Sequence, residues 1–171
     1  MKFLLAQINP VVGDLEGNAK KILCTASKAS SNSADLVLTP ELSLWGYPAN
    51  DLLLKKNLIK YQYQILDQLA LDIYKKHGNL SITVGIAEII NDSFFPNLYN
   101  SVALLEHGEW KIIARKIILP TYEVFDEKRY FRSEEKVSVL TKEINNKTWR
   151  LGFTICEDLW VNKNIEGRGI H

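Results

Sequence analysis

The stretch "NSVALLEHGEWKIIARK", residues 100–116, holds two strand-like runs joined by His107-Gly108. A two-residue link whose glycine supplies positive φ is the connection of a β-hairpin. Part of the sheet is therefore antiparallel. Upstream, "LSITVGIAEI" is a further strand, rich in β-branched residues, and "NDSFFPN" is the loop between it and the hairpin. Before that strand, Ile59, Tyr63, Leu66, Ala70 and Ile73 fall on one helical face within residues 51–77, and Gly78 caps the helix. Further back, residues 35–39 form a strand ended by Pro40. Ala19, Ile22, Leu23, Ala26 and Ala29 recur at helical spacing until the run from Ser30 to Ser33, and residues 2–9 make a first, buried strand. Downstream come the loop "LPTYEVFDEKRYF", a short strand near Val137, and a last strand from Arg150 to Cys156. The alternation predicts an α/β fold with a mixed, partly antiparallel sheet covered by helices on one side. Little helical material remains for the other side, so the chain reads as a piece of a larger domain.

Composition fits one substantial core: 171 residues, 46% hydrophobic, 10% aromatic and 24% charged. A formal charge of +1 offers no field of the kind that gathers nucleic acid or a membrane surface. No apolar run approaches the roughly 20 residues that cross a bilayer. The opening "MKFLLAQINP" is too short and too soon polar for a signal peptide, and Cys24 and Cys156 form no disulfide framework. A cytoplasmic setting with reduced thiols follows as the expectation. No CxxC pair or HExxH points to a metal.

Three polar residues follow strands: Glu41, Lys116 and Cys156. Strand ends are rigid enough to hold reacting groups. Cys156 lies in "GFTICEDLW", where Glu157 and Asp158 would oppose a thiolate, and it reads either as a packing residue or as a nucleophile activated from elsewhere. His77, His107 and His171 stand at a helix end, a hairpin tip and the terminus, poor places for a cysteine's base. A carboxylate base with an ammonium for the developing oxyanion is the other route, and Glu41 and Lys116 carry those charges. Taken singly, both are ordinary loop-edge residues. Cys24, beside the stripe of the first helix, is a small core or boundary residue.

"PELSLWGYP", "RKIILPTYEVFDEKRYF" and "LGFTICEDLW" together resemble, in order, the three motif blocks of the nitrilase, or carbon-nitrogen hydrolase, superfamily. More narrowly the chain is similar to the N-terminal glutaminase domains of glutamine-dependent NAD synthetases, to which "LAQINPVVGDLEGN" is also similar. The resemblance spans residues 2 to about 160. It implies an α-β-β-α sandwich, with Glu41 as general base, Lys116 stabilising the tetrahedral intermediate, Cys156 as nucleophile and Glu127 as a second glutamate of the site. It further implies that the Glu157 N–H completes the oxyanion hole, and that Tyr122, Phe125 and Trp160 line a glutamine pocket. Asp158 reads as a loop carboxylate bonding nearby backbone, and Tyr47 as structural. The implied reaction releases ammonia from glutamine through a thioester, for amidation of deamido-NAD by a synthetase domain absent from this sequence. ATP, magnesium and deamido-NAD belong to that domain, since no SGGxDS or Walker loop is present here. A homo-oligomer is implied for the parent enzyme.

The resemblance also implies that such domains continue past "CEDLW", so residues 1–164 read as a partial domain. "RSEEK" after Phe131 replaces a glycine usual in the family, which touches the loop geometry near Glu127. Residues 165–171 are set apart as a tail, because "IEGR" is a protease-cleavage sequence used in expression vectors. A stand-alone amidase for another small amide and an inactive fragment remain as alternatives.

Overall fold

The computed structural model describes residues 1–91 and 94–160. The expected tail at 165–171 lies outside them. A five-stranded sheet is built from β1 (Phe3–Leu5), β2 (Leu36–Leu38), β3 (Ser81–Ile89), β4 (Leu98–Glu106) and β5 (Glu109–Arg115), in that spatial order. β1, β2 and β3 are parallel, while β4 runs antiparallel to both β3 and β5. The mixed sheet is thus present, with His107-Gly108 at the hairpin and both residues at positive φ.

α1 (Leu15–Ser31) and α2 (Lys56–His77) connect the parallel strands. Asp14 caps α1 by accepting the Gly17 N–H at 2.9 Å. Ile22 and Ala26 of α1 and Ile59, Leu66 and Ile73 of α2 share a buried core with Val37, Ile82, Val84, Ala103 and Leu105. No described helix is long and apolar enough to cross a membrane.

Three predicted boundaries need correction. β1 is an exposed edge strand rather than a buried one, and it stops at Leu5, because the N–H groups of Gln7 and Ile8 turn back to the carbonyls of Leu5 and Ala6. The segment read as one helix over 51–77 is a 3-10 turn, Asn50–Leu54, and then α2, parted by the extended backbone of Lys55. The final strands, β6 (Ser138–Ile144) and β7 (Lys147–Phe153), pair only with each other, as a second hairpin turning at Asn145-Asn146 with positive φ at both residues. β7 therefore ends before Cys156.

Because β2 and β5 point the same way and β4 points back, the exits of β2 and β5 and the start of β4 meet at one edge of the sheet. Open α/β sheets place their chemistry at such carboxyl ends. The chain leaving β2 lies directly over β3, where Gly85 makes room: a Cβ there would sit 2.3 Å from the Leu42 backbone nitrogen. Ser43 Oγ accepts the Gly85 N–H at 2.9 Å, and the Leu44 N–H donates to the Gly85 carbonyl at 3.1 Å. Asn18 Nδ2 of α1 donates to the Leu44 carbonyl at 3.0 Å, and Trp45 Nε1 donates to Gln62 of α2 at 2.5 Å. Both helices and β3 thus hold the loop that carries Glu41.

Candidate active site

Lys116 follows β5 and is fully buried, so its ammonium requires partners inside the protein. It has two carboxylates: Nζ lies 2.7 Å from Glu41 Oε1 and 2.8 Å from Glu127 Oε1. These charges outweigh the burial that would otherwise lower it, and the lysine titrates above its ordinary value. It stays protonated at neutral pH. Asn100, at the start of β4, donates through Nδ2 to Glu41 Oε1 at 2.7 Å, and its carbonyl accepts the Lys116 N–H at 2.8 Å.

Glu127 comes from the loop between the two hairpins. Its N–H donates to the Pro120 carbonyl, and Tyr47 donates through its hydroxyl to Glu127 Oε1 at 2.7 Å. Burial pushes Glu127 above the usual carboxylate range, against the opposing pull of Lys116. Glu127 Oε2 and Asn100 Oδ1 are buried acceptors with no hydrogen-bond partner among the described residues. Tyr47, read as structural, places its hydroxyl in the charged cluster.

Cys156 begins a 3-10 turn, Cys156–Leu159, and takes a positive φ of 49°. Its thiol is pushed above the ordinary value, first by burial and then by the charge of the Glu41 carboxylate, while Lys116 pulls it down. The residue as a whole remains exposed. The carboxylates beside it in sequence turn elsewhere. Glu157 accepts the Tyr122 hydroxyl at 2.9 Å, and Asp158 accepts the N–H groups of Ile117, Ile118 and Ile155 at 3.0, 2.8 and 3.0 Å.

The structure therefore brings Glu41, Lys116, Glu127 and Cys156 together. Around them runs an aromatic row: Phe125 lies 6.1 Å from Tyr47 and meets Tyr122 edge-on at 5.4 Å between ring centroids. Trp160 is 68% exposed. The described residues enclose a cavity of only about 20 Å³ beside Tyr47, Phe125 and Glu127, lined also by Val124, which like Tyr122 is exposed. Ser133 hydrogen-bonds the Ile117 carbonyl through Oγ, and the Glu134 N–H donates to the Lys116 carbonyl at 3.0 Å. That loop is anchored beside Lys116. Tyr47, Asn100 and Asp158 escaped assignment to the site. Tyr47 and Asp158 lie inside the motif blocks, whereas Asn100 lies in none of them.

Comparison with known proteins places the chain in a family. A carbon-nitrogen hydrolase family profile matches residues 5–165. The glutamine-dependent NAD(+) synthetase of Synechocystis sp. is 40% identical over 167 residues, covering 96% of this chain and 29% of that protein. That of Thermotoga maritima is 39% identical, covering 100% of this chain and 29% of its own length. The chain thus spans under a third of these relatives. Among solved structures, the glutamine-dependent NAD+ synthetase of Acinetobacter baumannii superposes with a TM-score of 0.77 at 36% identity, over 92% of this chain and 28% of that one. An amidase from Nesterenkonia sp. shares the fold, with a TM-score of 0.65 at 22% identity, over 86% of this chain and 53% of that one. The chain belongs to the carbon-nitrogen hydrolase family.

Proposed function

We propose that this chain is the glutaminase part of a glutamine-dependent NAD synthetase, and that it releases ammonia from glutamine through a thioester on Cys156. The observation that carries the reading is the buried Lys116 ammonium held between Glu41 and Glu127, whose charges act on the Cys156 thiol. The identity to NAD synthetases over nearly the whole chain supports the choice of substrate.

The raised thiol rests as a neutral S–H, so its proton must leave as the sulfur attacks. Cys156 Sγ bonds to the carboxamide carbon of glutamine, and Glu41 takes the proton. Lys116 and the Glu157 N–H stabilise the oxyanion. As the C–N bond breaks, Glu41 returns the proton to the departing ammonia, leaving a thioester. Glu41 then removes a proton from water, which attacks the thioester to release glutamate and restore the thiol. Glu127, steadied by the Tyr47 hydroxyl, keeps Nζ aimed throughout. Tyr122, Phe125, Glu157 and Trp160 are assigned to glutamine contacts.

In this reading ammonia passes to a synthetase part that also binds ATP, magnesium and deamido-NAD. A cytoplasmic setting accords with two free cysteines. Association into a homo-oligomer accords with the uncovered apolar side chains of β1, Phe3 at 43% and Leu5 at 74% exposure. The test is ammonia and glutamate release from glutamine, beside short aliphatic amides and the Cys156→Ala variant. Glutamine turnover abolished in the variant is expected. Turnover of short amides but not of glutamine would replace this reading with a stand-alone amidase.

A further inference from the structure

Cys156 has a backbone conformation that side-chain-bearing residues adopt rarely, and something nearby must impose it. Asp158 is 4% exposed, and its carboxylate accepts hydrogen bonds from two stretches of chain. Oδ2 takes the Ile155 N–H at 3.0 Å, while the Asp158 N–H returns to the Ile155 carbonyl at 3.1 Å. These two bonds close a ring of chain around Cys156. Oδ1 takes the N–H groups of Ile117 and Ile118 at 3.0 and 2.8 Å, the two residues that follow Lys116. One carboxylate thus joins the turn bearing the sulfur to the strand exit bearing the ammonium. Nothing else among the described hydrogen bonds ties residues 155–158 to residues 117–118.

We propose that Asp158 is a positioning residue, which holds Cys156 in its left-handed conformation and fixes its sulfur against Lys116 and Glu41. This rests on the reading of Cys156 as the nucleophile. A carboxylate is required because three N–H groups converge on it. An amide offers one acceptor oxygen and turns two N–H donors towards the other side, where a backbone N–H would meet them. Misplacing reacting groups by about 1 Å costs on the order of 100-fold in rate. Asp158 lies outside the aromatic row, so its loss should fall on the chemical step and spare glutamine binding.

The test compares the wild-type chain with Asp158→Asn, and with Asp158→Glu, which keeps both oxygens one methylene further out. Iodoacetamide alkylation of Cys156 and Cys24 is followed by peptide mapping from about pH 6 to about pH 10, together with kcat and KM for glutamine and the melting temperature. In the wild type, the pH profile of Cys156 should stand above that of Cys24, the exposed internal control. In a folded Asp158→Asn chain the profile should fall back onto that of Cys24, with kcat down about 100-fold and KM within about 3-fold. Should Asn prevent folding, the Glu variant is read in its place, with a smaller displacement in the same direction. An unchanged Cys156 profile and kcat in a folded variant would overturn the proposal. A wild-type Cys156 that alkylates like Cys24, in a chain that does not hydrolyse glutamine, would instead overturn the nucleophile reading beneath it.

Discussion

Lys116 shows what a single buried charge demands. A fully enclosed ammonium is tolerable only because Glu41 and Glu127 both reach it, and those carboxylates depend on it in turn. Lys116→Met should therefore cost about 3–5 kcal/mol of stability, the range for removing one partner of a buried pair. It should also abolish hydrolysis. Denaturant unfolding checks the first point, and ammonia release the second. Tyr47→Phe is milder: it removes the hydroxyl on Glu127 and should cost about 1 kcal/mol in unfolding experiments, the worth of one hydrogen bond. Glu41, Lys116, Glu127 and Cys156 were legible because motif blocks surround them. Asn100, Tyr47 and Asp158 were not, because each acts through hydrogen bonds to residues distant in sequence, and only the folded chain shows those partners.

Two connections place the catalytic elements, and each can be broken separately. Gly85 lets the loop after β2 cross β3, so Gly85→Ala must push Leu42 and with it Glu41. Overpacking of this kind costs about 1–3 kcal/mol. Glutamine hydrolysis should fall much further than the melting temperature suggests. The second connection joins the β6–β7 hairpin to the sheet through Glu106, which binds Lys142 at 2.5 Å and Lys111 at 3.2 Å. Burial alone would raise Glu106, but the two lysines outweigh it and hold the carboxyl below its ordinary value. A carboxyl with a lowered folded pKa adds stability above its unfolded value, about 4.3, and loses it as the pH falls through the folded value. Thermal unfolding should show this acid-side loss in the wild type and less of it in Lys142→Ala. The independent hairpin was the element least visible in the sequence. Its Asn145-Asn146 turn resembles any polar loop, and β6 and β7 alternate too weakly to show where they pair.

Across the whole molecule, the mixed sheet and its two helices were legible from periodicity and from the His107-Gly108 turn. The sheet's purpose was not. Parallel exits from β2 and β5, with an antiparallel β4 between β3 and β5, bring residues 41, 100 and 116 to one edge, and that convergence depends on strand order, which local pattern does not encode. The turn of Cys156–Leu159 then closes over the edge from the far end of the second hairpin. The central claim is that this convergence makes Cys156 a nucleophile for glutamine. The direct measurement is the intact mass of the chain after exposure to an electrophilic glutamine analogue, with the adduct located by peptide mapping. The account predicts a single adduct on Cys156, slowed by added glutamine and absent from Cys156→Ala, with Cys24 unmodified. A folded chain that takes no adduct, or takes it equally on Cys24 with no protection by glutamine, would contradict it.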